Sequence, residues 1–132
     1  MIKFHELKLG DIIQADYEGQ ISEGEVTDLN HEDKEVCVET EVQEFWFTPD
    51  QLHAIPLDEG QLMKFHFEKQ ENGDQSVKYL RGPFRILLSQ KGNFSDFEMW
   101  YREDIRQMKH PVMVHELQNL YKEMTKVDLT RD

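Results

Sequence analysis

Along the first 56 residues, hydrophobic and polar positions alternate in short runs. DIIQADY sets Ile13, Ala15 and Tyr17 on one side of a strand. EGQ at 18–20 turns the chain. ISEGEVTDL carries Ile21, Val26 and Leu29, with Gly24 expected as a bulge. NHEDK at 30–34 is a polar turn. EVCVETEV puts Val36, Val38, Thr40 and Val42 on one face, with Glu35, Cys37, Glu39 and Glu41 on the other. EFWF follows as an aromatic strand. Short strands at this spacing predict a small antiparallel sheet or barrel, SH3-like in kind. TPDQ then reads as a capped helical turn, with Thr48 as cap, Pro49 at the first position and Gln51 closing a capping box.

From residue 57 the pattern changes. LDEGQLMKFHF predicts a short helix capped by Asp58, with Gln61 three residues on and Leu57 and Leu62 at the staple positions. Gly60 weakens it by up to about 1 kcal/mol. FHFEKQ, SVKYLR, FRILLS and DFEMWY read as strands. ENGD between the first two is a hairpin signal, because Asn-Gly accepts positive φ at low cost. QKGN separates the last two. Pro83 is expected at a strand start or edge, since it cannot donate to a ladder. REDIRQMKH fits neither period. A final helix is expected to begin at Pro111 and to run to about residue 125. The chain thus reads as one α+β domain over residues 1–132. An acidic, strand-rich half (1–56) precedes a short helix, a β meander and a packed C-terminal helix (57–132).

That last helix contains HELQN, one residue short of the H-E-x-x-H zinc motif. At about 100° per residue, Met113, Val114, Leu117, Leu120, Tyr121 and Met124 form one apolar stripe, wide enough to face a core. His115 and Asn119 point away from it, while Gln118 and Glu116 lie on its two borders. Asn119 stands where the second imidazole would be, and an amide is a poor zinc ligand. Histidines 5, 31, 53, 66 and 110 show no ligand spacing. No metal and no cofactor are therefore expected. Two readings stay open: an ordinary packing helix, or a polar ridge of His115, Gln118 and Asn119 that hydrogen-bonds another part of the chain or a partner.

Composition narrows the classes. The chain has 132 residues, 38% of them hydrophobic, which suffices for a core. No apolar run approaches the roughly 20 residues that span a bilayer. MIKFHELKLGD has no h-region and no small-residue cleavage site, so a cytoplasmic location is expected. One cysteine, Cys37, excludes an internal disulfide framework. Its neighbours on the same strand face are glutamates, which disfavour a thiolate and predict an inert thiol. Residues 1–60 hold three Lys+Arg against sixteen Asp+Glu, and residues 61–132 hold twelve against eleven. The whole net charge of -12 therefore belongs to the first half. Such a surface repels phosphate backbones and attracts basic partners. Direct nucleic-acid binding is not expected; VKYLRGPFR, with Lys78, Arg81 and Arg85, is too short a basic stretch to reverse that. WYREDIR places Trp100, Arg102 and Arg106 together, residue types that dominate binding hot spots. The bland alternative is that Trp100 finishes a core strand and the arginines pair with Glu103 and Asp104. No glycine-rich phosphate loop and no G-x-S-x-G elbow occurs.

The run Val114-His115-Glu116-Leu117-Gln118-Asn119-Leu120-Tyr121, followed by Met124-Thr125, resembles a motif of small uncharacterised bacterial proteins often associated with phages or mobile elements. The opening LKLGDII and the IPL at 55–57 resemble them too. The resemblance implies kinship and carries no chemistry. The leading expectation is a non-catalytic interaction or accessory protein with a protein partner. One alternative is an acidic nucleic-acid mimic that blocks a basic nucleic-acid-binding protein. The other is a small hydrolase using His115 and Glu116.

Overall fold

The computed structural model describes residues 2–131. Two compact units divide the chain, Met1–Ile55 and Pro56–Asp132. The division falls beside the charge shift near residue 60. The architecture is α+β, with a five-stranded antiparallel sheet in each unit and two α-helices in the second.

In the first unit the strands are β1 (Ile12–Tyr17), β2 (Gln20–Asn30), β3 (Glu35–Thr40), β4 (Glu44–Phe47) and β5 (Leu52–His53). Their order in the sheet is β4-β3-β2-β1-β5. Alternation puts Ile13, Ala15, Val26, Val36, Val38, Phe47 and Leu52 into one core, which Ile2 and Leu7 complete. A 3-10 turn, Pro49–Gln51, joins β4 to β5. The Thr48 amide donates to Gln51 Oε1 at 3.0 Å, as the capping box requires. The sheet curls but does not close into a barrel. Tyr17 on β1 meets Phe45 and Phe47 on β4, with centroids 5.2 and 6.5 Å apart, although β2 and β3 lie between them in the sheet.

Two local expectations are corrected. The bulge lies at Thr27, where the β2–β3 register shifts between Val26 and Asp28, and Gly24 pairs regularly. The reason is spacing. Val26 and Leu29 are three apart, which a regular strand would put on opposite faces. One extra residue brings both toward the core. β3 also ends at Thr40, because Thr40 N donates to Gln43 O at 2.8 Å and starts a turn, leaving Val42 76% exposed.

The second unit begins with α1 (Glu59–Lys64). Asp58 Oδ1 accepts from Gln61 N at 2.8 Å, and both staple residues, Leu57 and Leu62, are buried. Then come β6 (Glu68–Glu71), β7 (Val77–Arg81), β8 (Phe84–Leu88), β9 (Phe97–Tyr101) and β10 (Asp104–Met108), followed by α2 (Val114–Thr125). The sheet order β10-β9-β8-β7-β6 is a simple meander. ENGD does form a hairpin, through a loop over residues 72–76 rather than a tight two-residue turn. Pro83 sits in the turn before β8, next to Gly82 at φ +58°. REDIRQMKH supplies β10, entered by a turn in which Arg102 takes φ +57°.

One face of this sheet buries Val77, Tyr79, Phe84, Ile86, Leu88, Phe97 and Met99. α2 packs against it: the Tyr121 and Phe84 rings lie 4.8 Å apart, and Arg106 Nη1 reaches Glu123 Oε1 at 2.8 Å. The helix starts at Val114, not at Pro111. Residues 111–113 stay extended because Pro56 bridges Met113 and Leu57 N donates to Val112 O at 3.1 Å. Beyond α2 the chain folds back, with the Arg131 guanidinium over the Phe65 ring and His66 Nε2 2.7 Å from Arg131 O. Among the described residues no helix is long and apolar enough to cross a membrane.

Candidate functional site

The residues singled out from the sequence fall in three places. On α2, Leu117 N donates to Met113 O at 3.0 Å, opening the helix, and Glu116 Oε1 accepts from Met113 N at 2.9 Å. Glu116 thus serves the helix cap. His115 and Gln118 are buried, which widens the buried arc beyond the apolar stripe. Gln118 Nε2 donates to Leu129 O at 3.1 Å and so fastens the returning tail. Asn119 Nδ2 donates to the His115 carbonyl at 2.8 Å, a bond inside the helix itself. Trp100 lies elsewhere. Phe97, Met99 and Tyr101 share the face that α2 covers, so Trp100 points to the opposite face. There it lines up with Leu80, Arg85 and the exposed Ile105, and its Nε1 donates to Glu98 Oε1 at 3.3 Å. Arg102 stands in the adjoining turn with its guanidinium 5.1 Å from the Tyr101 ring. The structure therefore does not bring the helix ridge and Trp100 into one site.

The first unit presents a different feature, visible only once register is known. Residues facing away from the core on β1 to β4 include Asp16, Glu23, Glu25, Asp28, Glu35, Glu39 and Glu44. Glu25 pairs with Glu39 and Glu39 with Glu44, so three exposed glutamates lie directly opposite one another on adjacent strands. Neighbouring strands are roughly 4.8 Å apart, and like charges placed opposite one another destabilise a sheet. The same face shows Trp46, 39% exposed, two residue pairs along from that row. Lys3, Lys8 and Lys34 are the unit's only Lys or Arg, and none lies in a strand. The alternation of EVCVET displayed the glutamates of β3. Nothing in the sequence displayed the row, because it depends on which residue stands opposite which.

A third cluster joins α1 to the second sheet. Glu59 Oε1 accepts from Lys69 Nζ at 2.7 Å and from the Tyr79 hydroxyl at 2.9 Å. Glu71 pairs with Lys91 at 2.9 Å and with Lys69 at 3.2 Å. The Lys69 ammonium and the Tyr79 hydroxyl hold the Glu59 carboxyl below its ordinary value. Burial, then the bond to Glu59, pushes the Tyr79 phenol well above its ordinary value of 10.0. These ion pairs are open to water and add little stability. Folding keeps Tyr79 protonated where the unfolded phenol would ionise. Its contribution is therefore complete below pH 10 and is lost as the pH rises beyond it. We expect Tyr79→Phe to flatten the alkaline fall in stability, read as the unfolding midpoint between pH 9 and 11. An unchanged alkaline fall would contradict the assignment.

Among the described residues no group of three or more His, Cys, Asp or Glu side chains is placed to hold a metal ion. Cys37 is buried. The carboxylate face of the first sheet is the arrangement with the clearest chemical character, namely a concentrated negative field with an aromatic side chain in it. The chain matches no protein-family model, no curated protein and no solved structure.

Proposed function

We propose that this protein is a non-catalytic interaction protein whose first unit docks a basic protein partner. The observation that carries the reading is the one-sided placement of seven carboxylates on strands that also show exposed Trp46 and contain no lysine or arginine of their own. A negative field steers a basic partner into contact, and a tryptophan among charges is a typical anchor. The same arrangement supports the nucleic-acid-mimic reading, in which the partner is itself a nucleic-acid-binding protein. The hydrolase reading draws no support from α2, where Glu116 serves the cap and His115 is buried. A cytoplasmic location is part of this proposal.

The test immobilises the full chain beside its Glu39→Lys/Glu44→Lys variant and passes over both a nuclease-treated lysate at low and high salt. The reading expects basic proteins to be held by the wild type at low salt and released from the variant. Displacement of the captured protein by added DNA would favour the mimic version. Equal capture by both forms would sink the proposal. The glutamate row makes a second expectation. Glu39→Lys should raise the unfolding midpoint at low salt, by a few tenths of a kcal/mol in stability, and the gain should shrink in high salt. A lowered midpoint would contradict the repulsion.

A further inference from the structure

The inner face of the first sheet is not sealed at one end. Between the β1–β2 turn and the β3–β4 turn lies a hollow of about 170 Å³. Small side chains, Ala15, Ser22 and Thr40, form its floor, and Tyr17 and Phe47 wall it. Tyr17 and Phe45 are 37% and 44% exposed, and the Phe45 and Phe47 centroids are 5.6 Å apart. Two adjacent rings left this open to water, above a buried Phe47, are an uncommon use of aromatic surface in a small unit. The rim is held in shape: Thr40 Oγ1 donates to Gln43 O at 3.2 Å and accepts from the Val42 and Gln43 amides at 3.3 Å.

Charge decides what such a hollow suits. Glu18 follows Tyr17 in the first turn, and Glu41 lies between Thr40 and Val42 in the second. Residues 12–30 and 35–47, which build the hollow, contain no lysine or arginine. Aromatic faces in a negative field complement a cation carried on an apolar stem. An anion would be repelled, and a purely apolar side chain would draw nothing from the carboxylates. The volume suits one side chain, not a drug-sized ligand, for which roughly 300 Å³ or more is usual.

We propose that this hollow takes a lysine or arginine side chain of the basic partner. The partner's charge rests on the reading given above. The hollow lies on the face opposite the glutamate row, at the end of the sheet, and adds where a part of the partner reaching round that end has a cation gripped. The stem lies along Tyr17 and Phe47, and the cationic head faces the rim.

The probe is a fluorescent peptide of alternating lysine and glycine, titrated into the full chain at low salt and followed by anisotropy. An analogue with norleucine for lysine serves as the uncharged control. Tyr17→Leu keeps apolar bulk but removes the π face. Phe45→Leu, which removes the ring that Tyr17 rests against at 5.2 Å without itself lining the hollow, is a second variant should the first disturb folding. Circular dichroism and the unfolding midpoint show whether each variant is folded. Folded Tyr17→Leu or Phe45→Leu is expected to weaken lysine-peptide binding by roughly three- to thirtyfold, and norleucine binding is expected to be weaker throughout. If Glu39→Lys/Glu44→Lys weakens the peptide while both leucine variants bind as the wild type does, the hollow is overturned and the acidic-face reading stands. If the norleucine peptide binds as tightly as the lysine peptide, the cation assignment is wrong. If the wild type binds neither peptide, both readings fail.

Discussion

Phe84→Ala is expected to cost the second unit about 3–5 kcal/mol, the range for removing a buried phenylalanine ring. Phe84 is 0% exposed in β8. Its ring meets Tyr121 of α2 at 4.8 Å and Phe67 at 6.2 Å. It therefore joins the helix, the sheet and the segment leaving α1 at one point. Truncation leaves a cavity that none of the three can fill without moving another. With total stabilities of about 5–15 kcal/mol for ordinary domains, the loss is a large fraction. Urea denaturation followed by Trp100 fluorescence in a Trp46→Phe background would read it. Phe84→Leu should cost less than half as much, since most of the volume remains. A loss below about 1 kcal/mol for Phe84→Ala would mean that α2 does not depend on this contact.

Gly24→Ala is expected to destabilise the first unit by about 1–3 kcal/mol, the range for overpacking. The sign is the informative part. Where a glycine has ordinary φ and free space, alanine usually stabilises by about 0.4–1 kcal/mol. Gly24 has neither a left-handed φ nor free space. A Cβ there would stand 2.6 Å from Val38 Cγ1, 2.7 Å from the Glu39 carbonyl oxygen and 3.0 Å from Thr40 Cγ2. The valine methyl could rotate away. The carbonyl belongs to the β2–β3 ladder and cannot shift without carrying β3 with it. A Gly24→Ala variant at least as stable as the wild type would show that β3 does not approach β2 this closely.

Much of this architecture was legible in the sequence. The alternation of Ile13, Ala15, Val36 and Val38 predicted the first sheet, and Asp58, Gln61, Leu57 and Leu62 predicted α1. β10 was not legible, for two physical reasons. Its entry turn puts Arg102 at positive φ without the usual Gly or Asn. Its polarity is also reversed: Ile105 points outward, 51% exposed, while Arg106 points toward α2 and pairs with Glu123. Pro111 suits a first helical turn equally well, and only the tertiary pairing of Val112 with Leu57 keeps this segment extended and delays α2 to Val114. The candidate sites were less accessible still. The glutamate row needs cross-strand register. The Tyr17–Phe45 contact needs the curl of a sheet whose first and fourth strands are not neighbours.

Thr27 gives the first unit an unusual tolerance of the loss of a single codon. The residues before it and those after it on β2 are each in phase with β3, but not with one another. Removing Thr27 would join the two runs into one regular alternation. Val26 and Leu29 would still face Val38 and Val36, and Asp28 and Asn30 would still point outward. What a deletion takes away is the extra local twist that a bulge adds, not the inside and outside of the strand. This position should therefore accept many amino acids and also a gap.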